Sequence, residues 1–486
     1  MRARWWAALL HFALCGCAAT AAPAGEGGGP TEIHYTFTVP ESLAHIHARV
    51  CFEGPAPSEL MCGVRWGREY LRAARSGSGQ ALPVREQRVQ LDGVGRDACI
   101  EYEVALQDVA DTYGALYAER RGDALMSNLA LWLWRPPAWR SAREVTAAFE
   151  LPEGMAVSVP WAQRADGRYR LDETAFAYLA YAMFGRFDVE RFRVPGAEVE
   201  VARLDGLSPE LGASVRPWIE TAARMVAQPL GRFPRERAQV IVIPSNPREQ
   251  PVGFGTVSRG GGPSIGVFLP RNSDLTRMQR DWVAVHEFSH LYHPFVERGD
   301  AWLSEGMATY YQEVLRARAG LQTPERAWQR LWEGAARGRA ADHTLERESE
   351  EMFFNFSFPM VYWAGAAFAL MADVELRKRG GDAASLDAVM AELAECCSAA
   401  SRPWSARRVV ARMDRIAGEP VFERLVARWV RGPRLPDLGP LYEELGVVVD
   451  EDGAVELRPA PAAALRDAIM RVDPELAGRV QRLGRL

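Results

Sequence analysis

Two histidines four positions apart, with a glutamate directly after the first, constrain this chain more than any other feature. His286-Glu287-Phe288-Ser289-His290 can chelate one ion only as a helix, where positions four apart share a face. Trp302-Leu303-Ser304-Glu305-Gly306 follows, with fourteen residues between His290 and Glu305. That interval allows a turn through Pro294 and Gly299 and a returning helix. On two such helices His286, His290 and Glu305 meet at one metal. Three protein ligands and an open position suit zinc, which lowers the pKa of bound water to about 7. Glu287, beside the metal but pointing past it, then serves as general base. The stretch from Asp281 to Tyr311 is therefore expected to organise the chain around it.

The rest of the sequence is read as the frame for that stretch. Its 486 residues, 48% hydrophobic and 25% charged, suffice for two or three globular domains. A net charge of −5 is small for this length and gives no reason to expect nucleic acid as a partner. Four segments are expected: a leader and tether (1–30), an N-terminal β domain (31–204), a catalytic domain (205–435) and a small C-terminal extension (436–486).

The leader has Arg2 and Arg4, an apolar run from Trp5 to Leu14, and then Leu14-Cys15-Gly16-Cys17. That order is an export signal, too short for a membrane span. Its ending resembles a bacterial lipobox, which implies a lipid anchor on Cys17 and a place in the cell envelope. The competing reading is cleavage after Ala19-Thr20-Ala21 and a soluble secreted protein. In an oxidising compartment one disulfide is expected among Cys51, Cys62 and Cys99, with no pair preferred, while Cys396 and Cys397 are adjacent.

From Thr31 to about Glu200, short alternating runs between Gly and Pro read as strands of an antiparallel sandwich. His45 and His47 would share a strand face there, without a carboxylate or cysteine pattern to make them a metal site. Ser208-Pro209 opens a helix to about Ala227. Strands follow at Ala238–Ile243 and Ser264–Leu269. Asn272-Ser273-Asp274 caps a helix expected to run through His290 and stop before Pro294. Asp300 is expected to cap the helix bearing Glu305. Phe353–Ala372 carries no charge, but Pro359 divides it, so an extended segment and then a buried helix from Pro359 to Arg379 are expected rather than a membrane span. A small hairpin is expected at Asp452-Gly453.

His286-Glu287-Phe288-Ser289-His290 followed by Trp302-Leu303-Ser304-Glu305-Gly306-Met307-Ala308 resembles the gluzincin zinc metallopeptidases. Tyr362-Trp363-Ala364-Gly365 resembles a helix start in the aminopeptidase members of that group, and the helical text after it is similar to the glycyl-aminopeptidase branch. The resemblance covers about Val240 to Met390. It implies an α+β multidomain fold, with an N-terminal β-sandwich-like domain before a thermolysin-like catalytic domain and its helical lobe. It implies Zn²⁺ on His286, His290 and Glu305, Glu287 as base, Tyr362 as donor to the oxyanion, and a peptide or protein substrate.

Three departures stand beside it. The insert before Glu305 is about one helical turn shorter than usual. The stretch Gly253–Gly262 lacks the acidic residue that holds a substrate's free amine in the aminopeptidases and carries Arg259 instead, which argues against strict aminopeptidase action. The tail after Leu435 is too short for the PDZ domain of many relatives in the glycyl branch. Two rival readings are a serine hydrolase built on the GxSxG at Gly262–Gly266, with Ser264 as nucleophile, and a non-catalytic binding lipoprotein derived from a gluzincin. His293 is either a further polar group of the site or a helix-end residue.

Overall fold

The computed structural model describes residues 30–137, 142–176, 180–338, 343–433 and 436–483; the leader and Cys17 lie outside them. Among these residues the α+β expectation holds. The N-terminal part is rich in sheet and the remainder is largely helical.

Strands β1 (Glu32–Thr38), β2 (Ile46–Glu53), β3 (Cys99–Val104) and β4 (Glu144–Glu150) belong to one seven-stranded sheet. The expected antiparallel pattern holds for β1 with β2 and for β2 with β3, but β1 and β4 pair in parallel. The long intervening chain permits this, because a parallel neighbour needs a crossover that no tight hairpin supplies. Cys51 and Cys99 sit opposite one another on β2 and β3 and form a disulfide, leaving Cys62 as a buried thiol. Cys396 and Cys397 are bonded to each other.

A four-stranded sheet lies beneath, and two of its strands, Ala124–Asn128 and Tyr181–Gly185, are buried at every position. Neighbouring side chains on a strand face opposite sides, so a layer buried throughout must be covered on both. Leu125, Ala182 and Phe184 join the N-terminal core, whereas Met126, Tyr181 and Met183 pack on Ile241, Ile243 and Phe268 of the next sheet.

That next sheet has the order β5 (Val189–Val194), β6 (Ala197–Arg203), β7 (Arg237–Ser245), β9 (Ser264–Pro270), β8 (Phe254–Ser258). β6, β7 and β9 are parallel and β8 is an antiparallel edge. β5 and β6 lie before residue 204 in sequence, yet they hydrogen-bond into the sheet that carries the site.

Helices cover the other face. α1 (Pro209–Ala227) starts at Ser208, whose hydroxyl accepts the Leu211 N–H at 3.3 Å. The single helix expected from Asp274 through His290 is broken into α2 (Leu275–Gln279) and α3 (Val283–Ser289). The cause is Asp281, whose carboxylate accepts the Val283 N–H at 2.8 Å and so caps a new start. α4 (Ala301–Arg318) carries Glu305; Asp300 precedes it but accepts the Ala406 N–H at 2.7 Å instead of capping the helix. The segment before Pro359 is helical rather than extended: α5 (Leu345–Asn355) ends at Phe356, whose φ of 53° reverses the chain into α6 (Phe358–Gly380). No helix among the described residues is long and apolar enough to cross a membrane. The hairpin at Asp452-Gly453 is present, and the tail beyond it packs Ile469, Leu476 and Val480 into the core of the helical part.

Candidate metal centre

α3 and α4 bring the ligand candidates together. His286 and His290 are 3% and 5% exposed, and both Nε2 atoms face Glu305 Oε2, at 3.1 and 3.6 Å. Each Nδ1 is engaged elsewhere: His286 with Gln312 Oε1 at 2.9 Å and His290 with Ser304 Oγ at 3.0 Å. Gln312 Nε2 donates to Glu313 Oε1 at 3.0 Å, which turns its carbonyl toward His286. The Nε2 lone pairs are therefore left for an ion. Two imidazole nitrogens and a carboxylate oxygen, all within 4.8 Å of one another, are a donor set that fits zinc. A second grouping among the described residues, Glu32, His34 and Glu53, lies on the N-terminal sheet; His45 and His47 face Glu103 and Glu101 and join neither.

Glu287 lies against the edge strand β8. A Cβ on Gly255 would stand 2.7 Å from Glu287 Cγ and 2.6 Å from Val283 Cγ1, so only glycine lets the strand approach this closely. Burial pushes the Glu287 carboxyl up to about 7, with His286 opposing and Glu305 adding to the shift. For His286, burial disfavours the charged ring but Glu305 and Glu287 outweigh it and its pKa rises. His290 moves well below its ordinary value through burial, reinforced by His286, His293 and Arg259.

Tyr362, on the first turns of α6, stacks on the His286 ring with centroids 5.9 Å apart and planes at 13°. Burial together with the nearby Glu305 and Glu287 charges keeps its hydroxyl protonated. The approach of α6 to α4 depends on two glycines. A Cβ on Gly306 would lie 2.4 Å from Gly365 C, and one on Gly365 would lie 2.1 Å from Trp302 O. Backbone meets backbone there, beside Glu305 and one turn from Tyr362.

Arg259 is not an open charge on the substrate wall, as the sequence suggested, but is buried behind His290. It is 7% exposed, stacks on Phe295 and donates to the His290 carbonyl, which terminates the ligand helix. Ser264 is not on a nucleophile elbow. It lies within β9, fully buried, donating to Gln239 Oε1 at 2.7 Å and accepting the Tyr181 N–H at 3.3 Å.

Many solved structures are similar. One is an aminopeptidase N family protein from Idiomarina loihiensis, 16% identical at a TM-score of 0.66, matched over 86% of this chain and 79% of that one. An M1 zinc metallopeptidase from Deinococcus radiodurans is 17% identical at 0.53, over 85% and 96%. The fold is that of the M1 zinc metallopeptidases. Yeast LTA4 hydrolase in complex with bestatin also shares it, at 12% identity and 0.52, over 84% and 68%. No protein-family model and no curated protein matches the sequence.

Within this M1-type fold, Gln312 and Gly255 are site residues that the sequence reading passed over. Gln312 had a signal: it lies seven residues beyond Glu305, two helical turns on and on the same face. Gly255 had none, since its role depends on which helix crosses the strand.

Asp281, which starts α3, yields a pH prediction. Burial, partly offset by the Val283 N–H and Arg316, lifts its carboxyl from 3.8 to about 6. The folded state thus holds the proton more tightly than the unfolded chain. Stability falls as pH rises through that window, and the cost, about 3 kcal/mol, is complete above it. Asp281→Asn is expected to melt above wild type at about pH 8 and level with it near about pH 4. Equal melting temperatures at the higher pH would count against this burial cost.

Proposed function

We propose that this chain is a zinc metallopeptidase that hydrolyses peptide bonds, with His286, His290 and Glu305 as metal ligands. The observation that carries the reading is the convergence of both Nε2 atoms on Glu305 Oε2, with the Glu287 carboxyl alongside. Zinc held there supplies a Lewis acid and an acidified water. Glu287 accepts the proton of the attacking water and passes it to the leaving amine, a role suited to a carboxyl with a raised pKa. The protonated Tyr362 hydroxyl donates to the oxyanion, an interaction often worth about 10²–10³ in turnover. Gln312 and Ser304 orient the ligand rings.

Metal analysis of the purified protein, joined to cleavage of a peptide library with and without a chelator, tests this. One zinc per chain and cleavage abolished by chelation are expected; a metal-free chain, or cleavage indifferent to the chelator, overturns it. Release of single N-terminal residues would assign an aminopeptidase and internal fragments an endopeptidase. Export is part of the proposal, and the intact mass of the mature protein separates a lipid on Cys17 from a chain beginning at Ala22.

A further inference from the structure

We propose that His293 is a positioning residue that acts through the Ser304 hydroxyl to fix the tautomer in which His290 offers Nε2 to the metal. The inference rests on the zinc reading above and adds to it a residue outside the ligand motif. His293 is 3% exposed, and its Nδ1 lies 2.7 Å from the carbonyl oxygen of Pro294. A carbonyl only accepts, so Nδ1 carries the proton and the Nε2 of the neutral ring is a bare acceptor. That Nε2 is 3.5 Å from Ser304 Oγ. Serine has one proton to give, and His293 is where it goes. The Ser304 oxygen is then left to accept from His290 Nδ1, at 3.0 Å, and His290 keeps its lone pair on Nε2, the atom facing Glu305.

Reversing this chain would place a proton on His290 Nε2 and remove the ligand. The direction is set at its far end by the Pro294 carbonyl, and with both rings buried, bulk water does not stand in for either partner. His286 receives the same instruction from Gln312. Among the described residues the Nδ1 partners of the two ligand histidines are an amide and a hydroxyl, so orientation here is supplied by neutral hydrogen-bond partners.

Zinc affinity, measured by chelator competition, and ¹⁵N-histidine NMR test the proposal. His293→Phe is expected to weaken zinc binding about tenfold, and Ser304→Ala at least as much. The double variant should lose no more than Ser304→Ala alone, because the two residues act along one path. His293→Gln, whose amide carbonyl can accept from Ser304, should recover most of the loss. In the unaltered protein the His293 nitrogen shifts should place the proton on Nδ1. A Kd for His293→Phe within about twofold of wild type, additive losses in the double variant, or a proton on His293 Nε2 would each overturn the role. The last readout needs no substitution, so a variant that fails to fold does not block the test. An unaltered chain that binds no zinc would remove the metallopeptidase reading itself; normal zinc with unchanged variants removes only the role of His293.

Discussion

Replacement of Glu287 by glutamine is expected to leave zinc bound at wild-type stoichiometry while peptide hydrolysis falls by about 10³-fold. Glutamine keeps the shape of the side chain, so it fits the space between α3 and Gly255, but it can neither take a proton from water nor return one to an amine. Glu287 makes no part of the three-atom donor set, which is why metal content should survive. Steady-state kinetics on a good library peptide, beside metal analysis of the same preparation, is the measurement. The loss should fall in kcat far more than in KM, because a proton-transfer group acts in the transition state. Equal activity in the two proteins would end the reading of Glu287 as the base, and no hydrolysis by either would leave a binding protein, since a binding module has no use for a base at this position.

Gly365→Ala is the second large effect, and its sign is unusual. In a helix interior, glycine to alanine is ordinarily stabilising by about 1 kcal/mol. Here the added methyl would lie 2.1 Å from the Trp302 carbonyl oxygen and 2.7 Å from Gly306 Cα. Backbone atoms of two buried helices have little room to yield, so a destabilisation of about 3 kcal/mol or more is expected. The separation also moves Tyr362 away from Glu305, because the two are carried by the helices that cross at this point. Urea unfolding reads the first consequence, and activity of the folded fraction with zinc present reads the second. A variant as stable as wild type would show that the crossing relaxes without cost.

The grouping of His286, His290 and Glu305 was legible in the sequence because it rests on local spacing. Histidines four apart share a helix face wherever that helix sits, and a glutamate at the start of a returning helix completes the set. Start signals read locally held too: Ser208 opens α1 and Phe358 to Gly380 is one helix with Pro359 in its first turn. Boundaries decided by side-chain competition were not legible. Asp281 restarts a helix that looked continuous, Asp300 gives its carboxylate to Ala406, and Phe356 turns an apolar run from one helix into another.

Contacts between distant segments were decided by the tertiary structure alone. Arg259 read as a charge on the substrate wall because it falls in the stretch where the aminopeptidases carry an acidic residue, yet its guanidinium turns inward to the His290 carbonyl. Ser264 matched a nucleophile pattern, yet it is buried within β9 and bonded to Gln239. Strand pairing carried β5 and β6 from the N-terminal run into the sheet beneath the site. The sequence by itself determined that His286 and His290 share one helix face, because 3.6 residues per turn is a property of the backbone. Only the folded chain determined what surrounds them, namely Gly255 under Glu287, the glycine crossing beside Glu305, and Gln312 and Ser304 behind the histidines. These depend on close packing between elements far apart in sequence, where a difference of one methyl group decides whether the contact forms.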